Sequence, residues 1–186
     1  MNSMLRSLIQ AVRRWRLLRQ GVSLGGKARL GPAVRASRGW GLAGAGSIRC
    51  GPDLQLEDGV ILDAWGGSIR IGTNVFVGPH VVIYGHGGVE IGDHTLLSMH
   101  CRILSSNHTV PPMGTLIRSQ PDIPLPTKIG RDVWLGAGVT VLGGVTIGDS
   151  CIVGAGAVVT KDLPPGSISH GTPAVVQRQR DDAPAV

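Results

Sequence analysis

Aliphatic side chains return every sixth position in long stretches of the chain, a period that neither a helix nor a simple amphipathic strand produces. Ile71, Val77 and Ile83 form one set and Ile91, Leu97 and Ile103 a second. Ile129, Leu135, Val141, Ile147, Val153 and Val159 form a third. Four residues after most anchors comes another inward candidate, usually small or β-branched: Val75, Val81, Thr95, Cys101, Val133, Val139, Val145, Cys151, Ala157. One aliphatic and one small residue per hexad describe a short strand and a tight turn, with Gly giving the backbone freedom that a corner needs. Three hexads close a triangular coil of 18 residues, the spacing from Ile129 to Ile147. The fold class expected is an all-β solenoid.

The interruptions carry as much information. Ile71 to Ile91 is 20 residues, so Tyr84-Gly85-His86-Gly87-Gly88 must bulge outward near one corner. Ile103 to Ile129 is far longer than any hexad, and the segment from about 105 to 127 leaves the coil as an excursion loop. It is rich in proline and carries Asn107 and His108. Long loops on a compact scaffold are uncommon and usually functional.

With 186 residues, one Phe, one Tyr and four Trp, the composition suits a single domain with a narrow aliphatic core. Cys101 and Cys151 fall at inward small positions, and with Cys50 they read as buried reduced thiols, which places the chain in a reducing cytoplasm. No stretch reaches membrane-span length, and the basic start lacks the apolar core of a signal peptide.

Charge is unevenly spread. Ten of the 18 Lys and Arg lie in residues 1 to 52, and no acid precedes Asp53. Leu5, Leu8, Ile9, Val12 and Trp15 recur at helical spacing, which predicts a basic amphipathic helix over residues 1–20. Two readings stand side by side. The helix caps the open end of the solenoid, or it lies on an anionic leaflet, holding the protein peripherally at the inner face of the membrane. Nucleic acid is not expected as a partner, because stacking platforms and recognition motifs are absent.

The run Lys128-Ile129-Gly130-Arg131-Asp132-Val133-Trp134-Leu135-Gly136-Ala137-Gly138 continues through Gly143-Gly144-Val145-Thr146-Ile147-Gly148-Asp149. With Val153-Gly154-Ala155-Gly156-Ala157-Val158-Val159-Thr160-Lys161-Asp162 and Gly171-Thr172-Pro173-Ala174, it resembles the hexapeptide-repeat acyltransferases. The sugar O-acetyltransferase branch, with its maltose, galactoside and colanic-acid or capsule enzymes, is the most similar. The resemblance covers roughly residues 48 to 180. It implies a left-handed parallel β-helix over residues 21–180, followed by a tail at 181–186, in a homotrimer with active sites between neighbouring prisms. The implied activity is acetyl-CoA-dependent transfer of acetyl to a sugar or glycan hydroxyl in surface-polysaccharide synthesis, without a metal.

An alcohol attacking a thioester needs a base for its proton, and His is the side chain whose charge changes near neutrality. By resemblance that base is His108. Ala137 and Ala155 would hold the pantetheine through backbone groups, Trp134 would wall the coenzyme tunnel, and Thr160, Lys161 and Arg178 would lie toward the nucleotide. His80, His86 and Asn107 are candidates for acceptor binding, with His80 and His100 expected to face outward and stack on adjacent coils. Cys101 argues against itself as a nucleophile by pointing inward. One departure stands out: Val175 follows Pro-Ala where the family carries Lys or Arg, which removes one expected cation unless Arg178 or Arg180 compensates. Other readings of the same residues are an amino-sugar N-acetyltransferase, a serine-type O-acetyltransferase, a γ-carbonic-anhydrase-like zinc protein using histidines, and a non-catalytic trimeric scaffold.

Overall fold

A computed structural model describes residues 3–41 and 44–182, so residues 183–186 of the expected tail, and the first two of the expected helix, lie outside the described residues. Successive coils contribute one strand to each of three parallel sheets, the faces of a triangular prism. The first face stacks Val22–Leu24, Ser47–Cys50, Ser68–Ile71, Val89–Ile91, Thr127–Ile129 and Thr146–Ile147. On the second lie Ala28–Leu30, Leu54–Leu56, Phe76–Val77, Leu96–Leu97, Trp134–Leu135, Ile152–Val153 and Ser167–His170, closed by the antiparallel strand Val175–Gln179. Arg35–Ser37, Ile61–Asp63, Val82–Tyr84, Arg102–Ile103, Thr140–Val141 and Val158–Val159 build the third. The fold is the left-handed parallel β-helix with an N-terminal helix and one long excursion.

The hexad anchors are the columns of the core. Leu24, Cys50, Ile71, Ile91, Ile129 and Ile147 are paired in register down the first face. Leu30, Leu56, Val77, Leu97, Leu135 and Val153 follow on the second, and Ala36, Leu62, Ile83, Ile103, Val141 and Val159 on the third. Nearly all are buried. Leu135→Ala is therefore expected to cost about 2–5 kcal/mol in a urea titration, whereas Thr146→Ala, on the solvated side of the same coil, should stay within about 0.5 kcal/mol.

The corners make the solenoid turn. At the corner joining the second and third faces, successive coils put His80 (φ 56°), His100 (φ 60°), Gly138 (φ 71°) and Gly156 (φ 72°) in the left-handed region. The two histidine rings stack as expected, 5.3 Å between centroids and 13° from parallel.

The helix Ser3–Arg19 caps the first coil, but with its polar side inward. Gln10 Nε2 donates to the Leu30 carbonyl at 2.9 Å and its Oε1 accepts from the Leu30 N–H at 2.8 Å. Arg13 donates to the same carbonyl, and Arg14 to the carbonyls of Gly26 and Leu24. The first coil has no coil beneath it, so its carbonyls take these donors instead. Leu17 alone of the helix is buried, and Leu8 and Trp15 are left 61% and 57% exposed.

Candidate active site

The chain leaves the prism after Ile103, at the corner joining the third face to the first. What the sequence marks as a loop is at its base a hairpin: Ser106–His108 pairs antiparallel with Asp122–Pro124, which sets His108 opposite Asp122. The bulge of the preceding coil supports it. Ser105 Oγ donates to the Tyr84 carbonyl at 2.6 Å and accepts from the Gly87 N–H at 3.1 Å. The Leu125 N–H donates to the Ser105 carbonyl, and the Thr127 N–H to that of Gly88. Gly87 has no room for more, since a Cβ there would lie 2.1 Å from the Ser105 oxygen.

Two histidines converge on one carboxylate. His108 Nε2 lies 3.9 Å from Asp122 Oδ1, and His86 Nδ1 3.5 Å from Asp122 Oδ2. His108 Nδ1 is 3.0 Å from the Thr109 carbonyl, which can only accept. That contact assigns the proton to Nδ1 and leaves the Nε2 lone pair free to take another. Once Nε2 is protonated, the imidazolium faces the Asp122 carboxylate at ion-pair distance. The side chains of His108 and Asp122 are both about one-third exposed (37% and 34%), so substrate can reach them. Asn107 Oδ1 accepts from the His108 N–H at 2.9 Å, which fixes the backbone beside the imidazole. Tyr84 is close enough to Asp122 and Asp63 that, with partial burial as the larger cause, its hydroxyl pKa is raised and it stays a donor.

The other expected site residues divide between corners. His86, Asn107, Thr160 and Lys161 share the third–first corner with His108, the last two on the final coils. Ala137 and Ala155 lie at the second–third corner in line with His80, and the Ala137 carbonyl accepts from the Gly156 N–H. Trp134 stands half-exposed on the second face, its Nε1 donating to Ser98 Oγ at 3.2 Å. It heads an outward row that continues through Ile152 and Ile168 to Arg178. His80 therefore does not join His86 and His108. Of the two arginines placed to offset Val175, Arg180 is engaged elsewhere: its guanidinium donates to Asp132 Oδ2 at 2.7 Å and holds that carboxyl below the usual range. Arg178 remains.

Sequence reasoning missed Asp122. Its partner across the hairpin depends on how the loop folds back, and nothing in the spacing encodes that register. The thiols stand apart from the chemistry. Cys101 Sγ donates to the Gly136 carbonyl inside the core, and burial pushes its pKa up to about 11 and that of Cys50 to about 12. Among the described residues no three of His, Cys, Asp and Glu are grouped to hold a metal ion.

Two family profiles match the coils: bacterial transferase hexapeptide (six repeats) over residues 126–161, and hexapeptide repeat of succinyl-transferase over 68–99. A probable acetyltransferase of Mycobacterium tuberculosis, Rv3034c, is 36% identical over 91% of this chain and 57% of its own length. The galactoside O-acetyltransferase of Escherichia coli K12 is 34% identical over 64% of this chain and 58% of its own. The chain thus spans a little over half the length of these curated relatives. Among solved structures, a maltose O-acetyltransferase from Clostridium difficile 630 superposes with a TM-score of 0.64 at 27% identity, covering 95% of this chain and 82% of that one. A galactoside acetyltransferase in complex with coenzyme A gives 0.61 at 28% identity, covering 84% and 64%.

Proposed function

We propose that this chain, which belongs to the hexapeptide-repeat acyltransferase family, transfers acetyl from acetyl-CoA to a hydroxyl of a sugar or glycan, with His108 as general base. The observation that carries the reading is the imidazole whose free Nε2 faces Asp122 at the mouth of the excursion. Nε2 takes the acceptor proton as the hydroxyl oxygen attacks the thioester carbonyl. Asp122 stabilises the imidazolium, and the same proton passes to the departing thiolate as the tetrahedral centre collapses. The coenzyme residues, Trp134, Ala137, Ala155 and Arg178, lie at another corner and face, a prism edge away from His108. One strand and turn of about six residues separates the corners, roughly 20 Å. A single prism cannot bring both to one thioester. A homotrimer in which the third–first corner of one subunit meets the second–third corner of the next does so, and Thr160 and Lys161 then approach the coenzyme from the base's side.

The test is an acceptor screen with acetyl-CoA that reads free thiol and locates the acetyl group by NMR. An O-acetyl sugar is expected. An N-acetyl amino sugar or O-acetylserine as the preferred product would reassign the acceptor, and no transfer to any acceptor would leave the scaffold reading.

The helix gives a second, independent proposal: it holds the protein on an anionic membrane surface in the cytoplasm, consistent with surface-polysaccharide synthesis. Its outward stripe of Leu5, Leu8, Val12 and Trp15 is flanked by Arg6, Arg16 and Arg19, with the Arg19 guanidinium 4.9 Å from the Trp15 ring centre. No helix among the described residues is long and apolar enough to cross a membrane. Each cation near such a surface contributes roughly 1 kcal/mol, weakening as salt shortens the Debye length. Deleting the helix would uncap the first coil, so the cleaner variant is Leu8→Glu with Trp15→Glu. Co-sedimentation should show binding to phosphatidylserine vesicles but not to phosphatidylcholine ones, lost in the variant and reduced by salt. Equal binding to both would remove the proposal.

A further inference from the structure

We propose that the third–first corner below His108 is a track for an extended carbohydrate chain, so that the acceptor is an oligo- or polysaccharide rather than a single sugar. This rests on the acetyltransferase reading above and names its acceptor class. The chain has six Trp, Tyr and Phe in all, and three of them fall on successive coils of this one corner. Trp40 lies in a small hairpin, Trp40–Gly41 with Gly44–Ala45, inserted in the first coil, and is 85% exposed. Trp65, 49% exposed, follows on the second coil, and Tyr84 on the third. The rings of Trp65 and Tyr84 are 5.7 Å apart and tilted by 33°.

The corner is one continuous surface. A Cβ on Gly66 would lie 2.7 Å from the Trp40 carbonyl carbon, one on Gly67 2.2 Å from the His86 oxygen, and one on Gly87 2.1 Å from the Ser105 oxygen. Backbone therefore meets backbone from the hairpin to the base of the excursion. Coils repeat at about 4.8 Å, so Trp40 to His108 is roughly 14 Å, the reach of a short oligosaccharide.

Polar groups accompany the rings from Trp65 to the base. Asp63 lies beside Tyr84 on the next strand, with Oδ1 accepting from the Trp65 N–H. His86 Nδ1 is buried without a hydrogen-bond partner. Asp122 and His108 close the series. Flat apolar rings alternating with acceptors suit pyranose rings, which offer C–H faces and a rim of hydroxyl donors. A purely apolar partner would leave these carboxylates unpaired, and a nucleic acid would be repelled by them.

The experiment uses an array of linear oligosaccharides of one to six units, in α and β linkage, probed with the unsubstituted protein without acetyl-CoA. Binding is expected for chains of three or more units and not for monosaccharides. Trp40→Ala and Trp65→Ala should each weaken it by about ten-fold, with Trp65→Phe restoring most of the loss, while coenzyme A binding by both variants is unchanged. No bound glycan, equal binding of mono- and oligosaccharides, or undiminished binding by the Trp40→Ala, Trp65→Ala double variant would overturn the track. Because the array does not depend on turnover, chain-length-dependent binding without acetyl transfer in the acceptor screen would overturn the enzymatic reading and leave the track standing.

Discussion

His108→Ala should lower turnover by about 10²–10⁴-fold, the range expected when a positioned base is lost from a proton transfer. The substitution removes an imidazole whose Nδ1 is committed to the Thr109 carbonyl and whose Nε2 lone pair is left free, facing Asp122. His86 is not expected to replace it, because its Nδ1 is buried and lies 3.5 Å from the same carboxylate. Coenzyme A binding, measured by calorimetry, and the oligomeric state should both persist, since His108 contacts neither a core column nor the second face. Single-turnover rates within a few-fold of the parent, with chemistry limiting, would remove His108 from the mechanism.

Gly87→Ala should also cost activity heavily, through geometry alone. The new methyl would meet the Ser105 oxygen at 2.1 Å, and that atom is backbone, tied to the Leu125 N–H. Something must move by about 1 Å, and the piece least anchored in the prism is the hairpin carrying His108 and Asp122. Misplacement on that scale costs about 10²-fold when the reacting groups must be held in register. The parent and variant should differ little in coenzyme affinity, because the coenzyme corner is remote. An unchanged kcat/KM would mean that the excursion is not positioned by this contact.

From Ile71 onward the coils were legible because one hexad follows another with little interruption. The earlier ones were not. Leu24 and Cys50 pair in the same column but are 26 residues apart, Cys50 and Ile71 21, because the Trp40 hairpin and a wider corner at Trp65 are inserted. Periodicity hides such coils while the buried columns keep them. His80 and His86 are six residues apart in sequence, which is one hexad and therefore one corner, so within one prism only His86 shares the corner of His108. Asp122 and the aromatic corner were invisible for a related reason. Asp122 meets His108 across the hairpin of the excursion and the aromatic corner forms by stacking across coils, between residues 14 to 25 apart, and pattern within a hexad says nothing about either. The N-terminal helix was legible, but which of its faces turns inward was not, because the unpaired carbonyls of the first coil demand donors before they demand apolar cover.

The proposal that the site is shared between subunits is tested most directly by mixed trimers. His108→Ala removes the base and leaves the coenzyme corner whole. Ala155→Trp fills the exposed coenzyme corner and leaves the base. Each variant alone should be inactive. Co-expressed in equal amounts under separate tags, they should recover roughly a quarter of parental activity, since one interface in four then joins an intact base to an intact coenzyme corner. Mixed trimers as inactive as either parent variant would contradict a shared site and return base and coenzyme to a single chain.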